Sequence, residues 1–506
     1  MNVIILALII LTLFSRIVGF GRDLVLARFF GASITTDAYL MSIAIPTILM
    51  TVLLTAFSQS FVPVYQKQNG TLKDKQSFFN QTLLSIFVLG ISLAIFIWLF
   101  TPALVSLLVT GFSPEAIALT TTFTRITSVA VIFMGISQLL QSFMQVSEKV
   151  LLASLSGLPF NAVAILFIIV GYHHDYTWLA IGTLIALFAQ MAYLVILVHR
   201  VGHRFSFRFF AMTSEHHALL LLGMPIMLGL AVEQLGIMVD KNMISSFGEG
   251  AISAFSFSTR TTTAISGIIV SSFLVVTFPK IAKEVSLNQL EGMKKSLSSA
   301  IVTMSLFIIP AAVAIFVLAT PVVTILFGRG AFDEYAISMT ADLLRWFVFY
   351  LVGHGLSLLF SRTFFALGDS KTPFVVALLT VVTSVTLNML LVRFMGISGI
   401  AFSSSIASFV GLFSLIWLLK IKLKTLALGD GMFSIFKITV ASLAMVVVAS
   451  LFNFLFSNVS AFIGLAVAAL TGGFIYLILI LIFDLDEVNE LLHLLQLKIS
   501  GTSIRK

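Results

Sequence analysis

Fourteen apolar runs divide this chain, each long enough to cross a bilayer as a helix. They cover residues 3–30, 37–64, 78–109, 116–146, 150–171, 177–198, 218–246, 251–279, 297–328, 335–367, 373–395, 397–419, 432–456 and 459–483, with short polar breaks between them. A membrane helix needs about 20 predominantly apolar residues at about 1.5 Å rise each. Inside hydrocarbon the backbone must satisfy its own hydrogen bonds, which a helix does within a single segment. The runs predict an all-α polytopic membrane protein with about 14 transmembrane helices. Only 10% of the residues are charged and 59% are hydrophobic, whereas a soluble chain carries about 25% charged residues. No break is long enough for a soluble domain. The first run has no basic stretch before it and no small-residue cleavage site, so it reads as a retained helix. The stretch VNELLHLLQLKIS at 488–500 repeats leucine at helical spacing and is expected to lie on the membrane surface.

The placement of Lys and Arg sets the orientation. Nineteen of them fall in or near the even-numbered breaks (Lys437 just inside span thirteen) or in the tail, and two, Arg329 and Arg393, fall in or near the odd-numbered breaks. Both termini are therefore expected in the cytoplasm. The formal charge of +8 is a topology signal and no sign of nucleic-acid binding. An internal repeat is also visible. Asp23 to Gly31 matches Asp240 to Gly248 at an offset of 217, Phe57 to Pro63 matches Phe273 to Pro279 at 216, and Leu139 to Ser142 matches Leu358 to Ser361 at 219. The unit is six spans, an even number, so both copies enter the membrane in the same direction. Two such repeats are expected about an axis along the membrane normal, with a substrate site between them. This gives an N-terminal six-helix bundle at 1–212, a second at 213–425, and two extra helices with the tail at 426–506.

Charge inside the spans is where function is expected. Arg16 lies near the middle of the first run, about 20 Å from either end by helical rise, which is deep for a guanidinium facing lipid. Arg22, Asp23 and Arg28 follow in the same run. One reading is a structural Arg16–Asp23 ion pair, since seven residues place both on one face. The other is an anion site, with Gly19 and Gly21 bending the helix to turn Arg16 and Arg22 toward one cavity. Arg28 reads as an interfacial anchor. Asp37 opens span two, close in sequence to these arginines, and is expected to pair with one of them in one access state. Arg260 sits in the polar run SAFSFSTRTTT of span eight, which suits a wet cavity. It pairs either with Asp240 or Glu233 of span seven, or with Arg16 and Arg22 around a multiply charged ligand such as a diphosphate. Arg125, in TTTFTRITS, is a weaker cavity candidate. Arg345 and Asp342 read as a local i,i+3 pair. Pro46, Pro225, Pro310 and Pro321 interrupt apolar runs and invite kinks.

Catalysis finds no support. The chain has no cysteine, no phosphate loop, no paired zinc-ligand histidines and no nucleophile motif. His173–His174 and His216–His217 read as solvated loop residues. No metal and no cofactor are implied.

The stretch LFSRIVGFGRDLVLARFFGASITTDAYLMS, then Pro46 and AFSQSFVPVYQK, resembles the start of the MurJ (MviN) lipid II flippases of the multidrug/oligosaccharidyl-lipid/polysaccharide exporter superfamily. The match is dense over roughly 65 residues, and ALGDSKTP at 366–373 extends it more loosely. The resemblance implies paired bundles around a cationic cavity and a hydrophobic groove, formed with the two extra helices, for a polyprenyl tail. It places substrate-binding roles on Arg16, Arg22, Arg260 and Asp37, with Asp23, Arg125 and Asp240 as secondary candidates. Met50 and Thr51 stand where the family often has an arginine pair, and Thr259 where an acid often precedes the span-eight arginine.

The reading is a flippase, not an enzyme. It is expected to move a polyprenyl-diphosphate-linked cell-wall precursor, lipid II, to the outer leaflet of a bacterial cytoplasmic membrane by alternating access. Its expected partners are that lipid-linked oligosaccharide, membrane lipids and cell-wall synthesis proteins, with no nucleic acid. The membrane potential or a monovalent cation is the expected energy source. The alternatives are a flippase for another lipid-linked glycan, of capsule or teichoic type, and a cation-coupled multidrug exporter. The exporter would favour carboxylates, yet within the spans, leaving out Arg393 and Lys437 counted with the breaks, basic residues outnumber acids eight to five.

Overall fold

Long uninterrupted apolar runs fold as helices, and the computed structural model contains eighteen α-helices among its described residues, 2–68, 71–206, 214–424, 429–457 and 460–489. The N-terminal portion comprises α1 (Asn2–Phe30), α2 (Ile34–Met50), α3 (Ala56–Lys67), α4 (Leu72–Leu108), α5 (Pro114–Thr127), α6 (Ala130–Val146), α7 (Val150–Ser154), α8 (Gly157–His173) and α9 (Thr177–Arg200). Then come α10 (Ser214–Ile244), α11 (Ala251–Ser286), α12 (Leu290–Val317), α13 (Ala319–Phe327), α14 (Glu334–Ala366), α15 (Lys371–Met395), α16 (Ser398–Leu423), α17 (Gly429–Ser457) and α18 (Ala461–Ile482). No strand occurs among the described residues. Among the described residues, twelve helices are long and apolar enough to cross a membrane, or thirteen with α5 and α6, bent by 46°, taken as one span. The 29-residue α1 covers the first expected run. The tail expected at 488–500 lies outside the described residues beyond Asn489.

Several expected spans carry irregularities. The second run lies in one continuous helical span, Ile34–Lys67, in which a π-helical turn at Thr51–Thr55 joins α2 to α3. Proline explains two local arrangements. Pro46 has no N–H for the carbonyl of Ser42, and Thr127 Oγ1 of α5 donates to that oxygen at 2.7 Å. Pro310 likewise frees the carbonyl of Leu306, and Tyr476 Oη of α18 donates to it at 2.7 Å. In each case a neighbouring helix replaces the bond that proline removes, as a dry environment requires.

The chain forms two compact units. The first holds residues 1–257 and 329–336, and the second holds 258–328 and 337–506. In the first, α1 packs on α8, α2 on α5, and α4 on α6. Where α3, α4 and α6 meet, Phe61, Phe78, Phe79 and Phe143 form a ring cluster. His203 sits edge-on to Phe79 and Phe143 and bonds to Asn80 Oδ1 at 3.0 Å. Burial among these rings pushes the His203 imidazole down to about 4. His216, expected in a solvated loop, is instead in the first turn of α10, buried and edge-on to Phe78. The second unit has a core of α11, α12, α14 and α16 side chains, with α17 packed on α12 and on α18. Its ALGDSKTP turn is fastened by Asp369, which accepts from Lys422 Nζ at 2.7 Å and from the Thr372 amide at 3.0 Å. The Lys422 ammonium and the Thr372 amide hold this carboxyl at about 2.

Candidate functional site

The intramembrane charge on α1 is arranged differently from the expected ion pair. Asp23 is buried and accepts from its neighbour Arg22, at 2.8 Å from Nη2 and 3.2 Å from Nε. Arg16 lies two turns away, about 10 Å along the axis, and has no hydrogen-bond or ion-pair partner among the described residues; it is exposed. The Arg22 guanidinium lies over the Phe160 ring of α8, 5.3 Å from its centroid. The Asp23 carboxylate and the Phe160 ring both stabilise the Arg22 cation, so α1 presents one exposed guanidinium, Arg16, and one half-buried and ion-paired, Arg22. Gly19 and Gly21 do not interrupt the helix. Gly19 faces Asn161 of α8, and nothing lies within 4 Å of the Cβ position of Gly21.

Asp37 opens α2 and is 2% exposed. Its carboxylate accepts from the Gly250 amide at 2.8 Å, the Ser253 amide at 2.7 Å, and the Ser253 hydroxyl. It thus caps the first turn of α11, where unpaired amides and the positive end of the helix dipole favour an anion. An α1 arginine is the partner expected from the sequence; in this structure the partners of Asp37 lie at the start of α11 instead. Ser253 stands 216 residues after Asp37, the offset that relates Phe57 to Phe273, so Asp37 bonds to its own counterpart in the second repeat. That offset is the signal in the sequence that singles out Ser253.

The surrounding backbone is tightly packed. Gly31 and Gly248, matched in the repeat, both take positive φ, at 63° and 92°, and end their helices in a conformation few other residues adopt. A side chain on Gly31 would collide with the carbonyl of Ala331. The Ala331 amide in turn donates to the Arg28 carbonyl at 2.9 Å. The Asp37 bonds thus tie the start of α2 to the start of α11, and the Ala331 bond ties the end of α1 to the loop between α13 and α14.

The remaining candidates lie on other helices. Arg260 is half-buried on α11 and belongs to the second unit. Asp240 is half-buried on α10 in the first. Arg125 is exposed on α5, its guanidinium 5.7 Å from the ring centre of Trp98 of α4. Arg345 donates to Asp342 at 2.6 Å as expected, and also to the Phe316 carbonyl where α12 ends. Met50 is buried, and its sulfur accepts from Thr55 across the π-helical turn that Thr51 opens. Where the family often carries an arginine pair, this chain thus has a thioether and a helix irregularity.

The second unit contains an apolar cavity of about 470 Å³ among α12, α14, α16 and α17, lined by Ile301, Ile309, Phe349, Leu412 and Ile435. Among the described residues, nothing charged lines it. Its chemistry suits a hydrocarbon chain, which gains about 25 cal/mol for each Å² removed from water.

Comparison with known proteins agrees with this fold. A family model described as "Lipid II flippase MurJ" matches residues 26–485. A Thermotoga maritima protein described as "Probable lipid II flippase MurJ" is 28% identical over 487 residues, covering 95% of this chain and 96% of the relative. A Thermosipho africanus protein, "Lipid II flippase MurJ", is 27% identical over 96% of this chain and 97% of its own. The solved structure "Lipid II flippase MurJ, inward closed conformation" superposes with a TM-score of 0.81 at 26% identity, over 94% of this chain and 98% of that one. An inward-facing multidrug resistance transporter of the MATE family shares the fold alone, with a TM-score of 0.69 at 15% identity, over 81% of this chain and 95% of that one. This multi-pass membrane protein belongs to the MurJ lipid II flippase family.

Proposed function

We propose that the protein carries lipid II across a bacterial cytoplasmic membrane, from the inner to the outer leaflet, with both of its own termini in the cytoplasm. The observation that carries this reading is the family match over residues 26–485, which takes in the second repeat, the first repeat from residue 26 onward, and the two C-terminal helices. Transport is non-covalent. Arg16, Arg22 and Arg260 bind the diphosphate, since guanidinium groups match phosphate oxygens in pairs. Asp37 holds the outer ends of α2 and α11 together while the substrate loads from the inside. The apolar cavity beside α17 shelters part of the tail. The cation-coupled exporter is not favoured by the relatives, nor by guanidiniums on α1.

Energy comes from the membrane potential. Each charge crossing the full potential is worth about 2.3 kcal/mol per 100 mV, and outward movement of a diphosphate anion runs with a negative interior. Depletion in the native bacterium tests the reading: lipid II accumulates in the inner leaflet, and re-expression restores its exposure outside. Collapsing the potential with valinomycin and potassium at fixed pH gradient stops that export. Accumulation of a different lipid-linked glycan refutes the assignment of substrate. Export unchanged by valinomycin refutes the assignment of energy source.

A further inference from the structure

The site described so far recognises charge and hydrocarbon, and leaves the sugars of a lipid-linked glycan without a partner. One group of side chains on α14 has no role in it. Phe347, Tyr350 and His354 stack along one face of this helix. The Phe347 and Tyr350 rings are 5.0 Å apart at 19°, and the Tyr350 and His354 rings 4.8 Å apart at 11°. His354 is exposed and has no hydrogen-bond partner among the described residues. It lies twelve residues from the end of α14 at Ala366, about 18 Å by helical rise, and so in mid-membrane. A polar ring at that depth almost always faces the bundle interior or a wet cavity, because hydrocarbon offers it no partner.

The neighbours fix where this face opens. Gly353 abuts Ser408 of α16, and Gly355 abuts Val270 of α11. Residue 354 points between those two contacts, since successive side chains turn by about 100°. Val270 lies ten residues beyond Arg260 on α11, about 15 Å along the axis. A diphosphate at Arg260 would place an attached sugar pair within that distance. The first repeat carries no equivalent. At the offset of 219 that relates Leu139 to Leu358, His354 corresponds to Gly135, which is buried against Leu54 and Ile86. The ring stack is thus a one-sided addition to a repeated framework.

We propose that Tyr350 and His354 form a stacking platform for a sugar ring of the translocated headgroup, an inference that rests on the flippase reading above. The C–H face of a pyranose lies flat on an aromatic ring, and the imidazole edge offers a hydrogen bond to a sugar hydroxyl. The platform selects substrate by its glycan and leaves the diphosphate to the arginines.

Binding to the purified full-length protein in nanodiscs separates these roles. Two ligands are compared: lipid II, and undecaprenyl diphosphate, which keeps the tail and diphosphate but lacks sugar. The wild type binds lipid II more tightly. Tyr350→Ala and His354→Ala each weaken lipid II about tenfold, the scale of one aromatic stacking contact, and leave undecaprenyl diphosphate unchanged. Tyr350→Phe and His354→Phe, which keep the rings and guard against a folding defect, retain most of the preference. Alanine variants that keep the wild-type preference overturn the platform, as do variants that weaken both ligands alike. So does a wild type that binds both ligands equally. A wild type that binds neither overturns the flippase reading itself.

Discussion

Replacing Asp37 by alanine should open one end of the helix bundle. The side chain accepts two backbone amides and one hydroxyl from the first turn of α11, all from a site 2% exposed. Loss of an N-terminal cap costs about 0.5–2 kcal/mol, and loss of hydrogen bonds to a charged acceptor costs about 1.5–3 kcal/mol. These contributions overlap, so the net loss is about 2–3 kcal/mol, which moves an opening equilibrium roughly 30- to 150-fold. Amide hydrogen exchange reads that shift. Exchange at Gly250 and Ser253 should accelerate by that factor, but it would do so even if only the cap frayed. The Ala331 amide decides the matter: it bonds to Arg28 at the same end and has no bond to Asp37. Concerted opening accelerates Ala331 as well. Asp37→Glu keeps the charge and should retain more protection and more transport than Asp37→Asn. Unchanged exchange at Ala331 in the alanine variant, or equal transport by the Glu and Asn variants, refutes the argument.

Other substitutions probe other links. Arg16→Ala, Arg22→Ala and Arg260→Ala should each abolish complementation at normal membrane levels, with lysine a poor substitute; growth of all three alanine strains counts against an anion site. Tyr476→Phe leaves the Leu306 carbonyl without its donor and should cost about 0.6–1.7 kcal/mol, read as a lower melting temperature in detergent; an unchanged melting temperature removes the donor role. His203 is neutral when folded, with a pKa of about 4 against 6.5 unfolded. Its contribution is therefore full above pH 6.5 and lost as pH falls toward 4. Between those values exchange at residues 203–206, corrected for the intrinsic rate, should rise as the pH falls, and His203→Phe should flatten the dependence.

The spans were legible because the bilayer imposes them: a run of apolar residues bounded by charge has one stable conformation in hydrocarbon. The expected run 251–279 begins where α11 begins, and 373–395 ends where α15 ends. What crosses between helices was not legible. Asp23 and Arg16 share a face, yet Asp23 bonds to its chain neighbour Arg22, whose guanidinium is held by a ring on α8. The residues that meet Asp37 lie more than 200 positions away, beyond any local pattern. The bend between α5 and α6 and the π-helical turn after Met50 depend on such neighbours too. His354 gives no signal of its own, because a single histidine in an apolar run has no periodicity; its meaning comes from the ring stacked beneath it.

The two proline-freed carbonyls impose an order on biogenesis. Ser42 waits 85 residues for Thr127, so α2 is incomplete until α5 has been synthesised. Leu306 waits 170 residues for Tyr476 in α18. A nascent chain that has inserted α12 must keep that oxygen satisfied, by water or by the translocon, until translation is nearly finished. The extra C-terminal pair is thus tied to the second repeat as the closing step of its assembly.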